Sequence, residues 1–182
     1  MLLRPTTELF DSFQESLAEW GNGFQDGASI HDAKALRTRE GFAAWVRALL
    51  DAEHQQVRDG WVTCSHYWIV EDGEYVGAVS LRHELNDHLR AHGGHIGYSV
   101  RPSRRGHGLA TRALGEVLDR ARARGIGEVL LTCDEDNYAS QHVIRANGGE
   151  LADVLERNEG PGTMRWWIRL SPSSAAPEHR GA

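Results

Sequence analysis

Cysteine is scarce in this chain: Cys64 and Cys133 are the only two among 182 residues, too few for the disulfide framework that staples small secreted domains. No apolar run comes near the ~20 residues a helix needs to span a bilayer. The opening residues, Met1 to Phe10, have neither the apolar stretch nor the small-residue cleavage site of a secretion signal. Positive charge is not in surplus either, since 20 Lys and Arg against 26 Asp and Glu leave a net −6. Nonspecific nucleic-acid affinity comes from phosphate neutralisation by Lys and Arg, so a nucleic-acid partner is not expected. The ATP-type loop Gly-x-x-x-x-Gly-Lys-Ser/Thr is absent, as is Gly-x-Gly-x-x-Gly. These absences predict a reduced cytoplasmic protein with neither membrane nor nucleic acid as partner.

What is present suits an ordinary soluble fold. The chain is 40% hydrophobic and 25% charged, which is the balance of a globular domain with a sizeable core. It shows no internal repeat and no dividing linker, so residues 1–170 are expected to form one domain. Residues 171–182 are small, polar and Pro-containing and are expected to be a disordered tail.

Periodicity orders the elements. Leu9, Phe10, Phe13, Leu17 and Trp20 recur at helical spacing until Gly21-Asn22-Gly23 stops them. Residues 25–37 read as a loop. A second helix follows Thr38 as N-cap, with Phe42, Trp45, Val46, Leu49 and Leu50 on one face. From Trp61 the period shortens to two. Residues 61–70 and 75–82 then form a hairpin around the Asp72-Gly73 turn. Residues 83–94 read as a polar loop, and 95–101 as a third strand ended by Pro102. A long amphipathic helix from about Gly108 to Arg124, a short strand at 128–133 and a helix at 137–146 come next. A final strand pair at 151–156 and 163–170 completes a mixed α/β sheet flanked by helices.

One turn stands out. Between the third strand and the long helix lies Arg104-Arg105-Gly106-His107-Gly108-Leu109-Ala110-Thr111. The first amides of a helix have no intrahelical acceptor, and the helix dipole makes that end positive. Gly106 and Gly108 let backbone approach a ligand closely. The turn is therefore expected to nest a diphosphate, with Arg101, Arg104 and Arg105 adding charge.

Arg105-x-x-Gly108-x-Ala110 after a strand ending in Val-x-Pro, followed by Asn137-x-x-Ser140 and Asn147-Gly148-Gly149, resembles the acetyl-CoA signature of the GNAT acetyltransferase superfamily. The stretches LRHELND (81–87), HIGYSVRPSRRGHGLAT (95–111), LLTCDEDNYASQHVIRANGG (130–149) and MRWWIRL (164–170) closely resemble a bacterial subgroup of predicted acetyltransferases. The resemblance covers 75–170; the first seventy-odd residues match only in their helix-helix-strand layout.

The resemblance implies the GNAT fold and acetyl-CoA as donor, released as CoA, with residues 1–60 on the acceptor side and the core at 61–170. It implies backbone contacts from Tyr98, Ser99 and Val100 to the pantetheine arm. It implies diphosphate binding by the amides of Arg105, Gly106, His107, Gly108, Ala110 and Thr111. Asn137 and Ser140 would face the arm, and Arg145 would reach toward the adenosine. Its reaction is direct acetyl transfer to an amine, here an unidentified primary amine of a small molecule or peptide. An alkylammonium of pKa ~10 must first lose a proton near neutrality.

At the start of the third strand, where many relatives have a carboxylate, this chain has His95, whose ordinary pKa suits a base. Glu84 and Asp87 compete for that role. The tyrosine acid of the family is replaced by Ile144, which leaves Ser140, Tyr138 or a water as donor. That departure also admits a catalytically weak acyl-CoA-binding or sensory domain, and a nucleotide-binding or metal-dependent hydrolase is the reading from another class.

Other residues carry less. His83, His88, His92 and His95 cluster in sequence, but Gly93-Gly94 argues for loop, and no metal site is expected. Cys133 is expected near the thioester as a small buried hydrophobe. Of Trp166 and Trp167, one is expected in the core and the other beside the acceptor. A homodimer is a further expectation, with Met164–Leu170 as its segment.

Overall fold

The computed structural model describes residues 1–170; the tail expected at 171–182 lies outside them. The chain runs β1 (Leu2–Leu3), α1 (Phe10–Trp20), α2 (Arg39–Asp51), β2 (Cys64–Glu71), β3 (Glu74–Arg82), α3 (Asp87–Ala91) and β4 (Ile96–Val100). It continues with α4 (Leu109–Ala123), β5 (Glu128–Asp134), α5 (Tyr138–Ala146), β6 (Glu150–Leu155) and β7 (Thr163–Arg169). The expected helices form where their caps predict: the Gly41 amide donates to Thr38 Oγ1 at 3.1 Å. A positive φ of 83° at Gly125 closes α4. The mixed α/β class holds, and no helix among the described residues is long and apolar enough to cross a membrane.

Two sheets share the work, in orders β1-β2-β3-β4 and β5-β7-β6, with antiparallel pairing throughout. Alternation on β2 and β3 sorts the core into two layers. Tyr67, Ile69, Val79 and Leu81 pack with Leu114, Val117 and Ala121 of α4. Trp68, Ala78 and Tyr75 face α1 and α2. There Phe13 lies 5.0 Å from both Phe42 and Trp45, ring centre to ring centre. Such aromatic contacts add ~0.5–1.5 kcal/mol each beyond the area they bury.

Several expectations need correction. The hairpin begins at Cys64 rather than Trp61, and Leu2–Leu3 adds a short strand on its outer edge, too brief to show any period. Residues 87–91, read as loop, are a helix: Asn86 Oδ1 caps it by accepting from the Leu89 amide at 2.9 Å. Gly93 and Gly94, with φ of 97° and 57°, end that helix rather than forbid it. Trp166 is buried in the core; Trp167 is half-buried on β7, away from both large cavities. Met164–Leu170 cannot serve as a free dimer edge, because β7 is paired on both sides, by β5 and β6.

The two sheets touch where β4 and β5 begin. The His95 amide donates to the Leu130 carbonyl at 2.7 Å, and the Leu130 amide donates back to His95 Nδ1 at 2.9 Å. Beyond that point the strands part, and a cleft opens between them.

Candidate active site

The cleft measures about 1020 Å³ and is walled by β4 on one side and by Thr132, Cys133 and the start of α5 on the other. β4 pairs with β3 from Ile96 to Val100, and its second edge pairs with no strand among the described residues. Tyr98, Ser99 and Val100 all line the cleft; the edge presents Tyr98 backbone groups and the Val100 amide to an extended ligand, while the Val100 carbonyl already accepts from Arg105.

At the far end of this edge the chain turns into α4. Gly106 and Gly108 take left-handed φ of 80° and 73°, a conformation that disfavours any residue with a Cβ. The first backbone bond of the helix runs from the Arg112 amide to the Gly108 carbonyl at 3.1 Å. The amides of Leu109, Ala110 and Thr111 are left without an intrahelical acceptor. Gly106, Gly108, Ala110 and Thr111 line the cleft, as does Arg105; His107 does not and is exposed.

Arg104 and Arg105 line the cleft and Arg101 does not; each of the three already has a partner. Arg101 is buried and donates from Nε to Glu19 at 2.7 Å and from its guanidinium to Glu15 at 3.3 Å. Arg104 donates to Glu74 at 2.7 Å and to Glu71 at 3.5 Å. Arg105 donates to the Val100 carbonyl at 3.1 Å and lies 4.8 Å from the centre of the Trp20 ring. What the turn presents to the cleft is therefore unpaired helix-start amides and the positive end of the helix dipole, with paired arginines around them.

Across the cleft, Asn137 Oδ1 accepts from the Ser140 amide at 3.0 Å, so Asn137 lines the cleft and also caps α5. That cap orients Ser140, whose Oγ lies 2.8 Å from the Tyr98 hydroxyl. Burial pushes the Tyr98 phenol up to about 12, against the lowering effect of its Ser140 bond, so it stays a proton donor at neutral pH. Ile144 is fully buried in the α4 layer. A tyrosine hydroxyl does reach the cleft, but from β4.

Other expected residues stand outside. His95 is buried and lines neither cavity. Its Nδ1 accepts from Leu130, and burial, followed by the charges of Arg90 and Arg82, depresses its pKa to about 4. With Nδ1 occupied as an acceptor, the neutral ring carries its proton on Nε2 and has no free lone pair for a base to use. His95 joins the sheets. Glu84 is exposed and lines neither cavity, and the same is true of Asp87. Tyr138 is 75% exposed and points away from the cleft that Ser140 faces. Arg145 is turned onto Trp166, 4.8 Å from its ring centre, not into the cleft.

Cys133 lines the cleft, but burial raises its thiol pKa, so the nucleophilic thiolate is disfavoured. His88 and His92 do share a helical face, 6.0 Å apart, yet among the described residues no three metal-ligating side chains converge.

The sequence reading missed Asp26. It lines the cleft from the loop between α1 and α2, at the mouth and open to solvent. The surrounding protein desolvates it enough to raise its carboxyl pKa, with Arg82 pulling the other way. The loop is seated where Gly27 packs on Gly97: a Cβ on Gly27 would lie 2.4 Å from the Gly97 carbonyl oxygen. Only the Gly27-x₆₉-Gly97 pairing signals this, and nothing local in sequence does.

A split sheet with one open strand edge leads here to a helix start whose first amides are unpaired, an arrangement suited to an extended ligand with an anionic group. Residues 30–148, more than half of the chain, match the model of the acetyltransferase (GNAT) family, and the protein belongs to that family. Its fold is similar to that of RimL, a ribosomal L7/L12 alpha-N-protein acetyltransferase solved with coenzyme A, at 18% identity over 93% of each chain and a TM-score of 0.67. The microcin C7 self-immunity acetyltransferase MccE, solved with acetyl-CoA and AMP, is similar at 16% identity, covering 93% of this chain and 91% of its own, with a TM-score of 0.68. RimJ of Mycobacterium smegmatis, solved with a CoA disulfide, is 20% identical over 92% of this chain and 80% of its own, with a TM-score of 0.68. No curated protein sequence matches the chain significantly.

Proposed function

We propose that the protein transfers an acetyl group from acetyl-CoA directly to a primary amine of a small molecule or peptide. The observation that carries this reading is the Tyr98–Ser140 hydroxyl pair at 2.8 Å, facing a cleft that also offers an open strand edge and a helix-start nest. The coenzyme A and acetyl-CoA held by RimL and MccE support the choice of donor.

Acetyl-CoA supplies an activated acyl group; the chain supplies position and protons. The β4 edge would align the pantetheine arm through Tyr98 and Val100. The amides of Gly106, Gly108, Ala110 and Thr111 would hold the diphosphate. Asp26 would take the proton an ammonium must lose, its raised carboxyl pKa making it a better base than an ordinary aspartate. Ser140, backed by the Tyr98 hydroxyl, would donate to the departing sulfur.

The test supplies acetyl-CoA to the purified protein with and without an amine library and follows release of CoA. Release that requires an amine supports transfer. Thermal stabilisation by CoA but not ATP, with no release for any amine, would instead make this a binding or sensory domain.

A further inference from the structure

A second cavity of about 690 Å³ adjoins the cleft, and Phe24, Asp26 and Arg82 line both. A ring, an anion and a cation therefore mark the passage between the two. Asp26 comes from the loop after α1, and Arg82 is the last residue of β3. Their opposite charges do not pair. Among the described residues no carboxylate stands within 4.0 Å of the Arg82 guanidinium.

Backbone fixes the position of Arg82. Its Nη1 donates to the carbonyls of Gly93 and Gly94 at 2.9 and 3.1 Å. Nε and Nη2 have no acceptor among the described residues, and neither is sealed from solvent. These two form the side of the guanidinium fork that a carboxylate occupies with both oxygens. Arg82 is half-buried, and a cation so placed without a carboxylate is costly unless a ligand supplies one. Desolvation lowers the pKa of Arg82 and raises that of Asp26, and in each the facing charge works the other way. The two thus feel each other without pairing, which leaves room for a ligand that carries both charges. Beyond the passage, Ile30, Trp45, Leu49 and Val57 give the second cavity an apolar wall. The Trp45 ring is held by its Nε1, which donates to the Ser29 carbonyl at 3.2 Å. Arg58, Asp59 and His88 line this cavity too, but they are exposed, where salt and water screen their charges.

We propose that the acceptor is a free α-amino acid with an apolar or aromatic side chain, seated across this passage. Its carboxylate takes the Nε and Nη2 donors of Arg82, and its ammonium faces Asp26 and the cleft. Its side chain enters the second cavity against Trp45 and Leu49. A peptide N-terminus, whose carboxyl is an amide, has no charge for Arg82 to meet. What the amine then undergoes rests on the proposed acetyl transfer, whereas selection by charge and side chain is measurable without turnover.

The test titrates CoA-loaded protein calorimetrically with L-phenylalanine and with controls that each lack one part of it. L-Phenylalaninamide and 2-phenylethylamine lack the carboxylate, 3-phenylpropionate lacks the amine, and glycine lacks the side chain. L-Phenylalanine is expected to bind at least tenfold tighter than every control, because charge-assisted bidentate pairs are the strong ones. Arg82→Gln should weaken L-phenylalanine at least tenfold and leave L-phenylalaninamide bound no more weakly than before. Should Arg82→Gln fail to fold, the wild-type panel carries the test by itself. A control that binds within tenfold of L-phenylalanine, no binding of any member, or an advantage that survives Arg82→Gln overturns the proposal. CoA release, followed in parallel with acetyl-CoA, reports separately on the acetyltransferase reading: selective binding without release upholds the pocket and counts against transfer.

Discussion

The hydroxyl of Tyr98 on β4 and that of Ser140 on α5 meet at 2.8 Å across the cleft, linking the strand on one wall to the helix on the other. The Asn137 side chain caps the first turn of α5, accepting from the Ser140 amide at 3.0 Å.

If the pair donates the proton, removing either hydroxyl should cost kcat, and general acid catalysis is worth ~10²–10⁴-fold. Ser140→Ala is expected to lower kcat by about 10²-fold, with Tyr98→Phe smaller and the double variant no worse than Ser140→Ala, because residues acting as a unit are not additive. Steady-state kinetics on the amine found by screening measures this. An unchanged KM for acetyl-CoA in Ser140→Ala separates proton donation from donor binding.

His95 should matter to stability rather than to chemistry. Replacing it by alanine strands the buried Leu130 amide and is expected to cost about 1–3 kcal/mol, measured by urea denaturation, while kcat of the folded fraction stays at the wild-type value. The sign of the pH effect follows from the shifts. His95 and His66 are both near 4 when folded, below the ordinary value of about 6.5. The unfolded chain therefore binds more protons between these values, and stability falls as pH drops from about 6.5 toward 4. His95→Leu should flatten part of that slope in a Tm-against-pH series.

Gly108→Ala forces a Cβ into a left-handed conformation, at a cost of roughly 1–2 kcal/mol, and disturbs the amide nest. A KM for acetyl-CoA raised about tenfold is expected, since 1.4 kcal/mol is a factor of ten in affinity. No protein atom lies within 4 Å of the added Cβ, so the domain should stay folded by circular dichroism.

Arg101→Ala provides the opposite pattern. Its guanidinium ties α1 to β4 through Glu19 and Glu15 and offers no free charge to a phosphate. Stability should drop by about 1.5–3 kcal/mol, the range for hydrogen bonds to charged groups. The Kd for CoA by calorimetry should stay within twofold of wild type. A large loss of CoA affinity without loss of stability would return Arg101 to the anion site.

Gly27→Ala brings a Cβ to 2.4 Å from the Gly97 carbonyl oxygen and should lift the loop that carries Asp26. KM for the amine is expected to rise at least tenfold while the Kd for CoA changes little, because the loop borders the cleft only at its mouth. Comparing the two constants decides it.

Much of the molecule was legible in the sequence because its signals are local. The Thr38 cap, the Asp72-Gly73 turn, the period-two strands and the Gly106-x-Gly108 start of α4 each concern residues a few positions apart, and short-range sterics and backbone hydrogen bonding decide them. α3 was hidden because five residues, Asp87–Ala91, are too few to show a period. What only the tertiary structure decided is which side chains meet. Glu19 and Glu15 reach Arg101 from more than eighty residues away and remove its charge from the nest. Register and burial turn His95 from a base into a strap between sheets. The Tyr98 hydroxyl reaches the cleft from β4 while Ile144 is buried under α4, and Asp26, His66 and Ser80 line a second cavity. Their ionisation and their partners depend on desolvation and on groups distant in sequence, which the order of residues alone does not reveal.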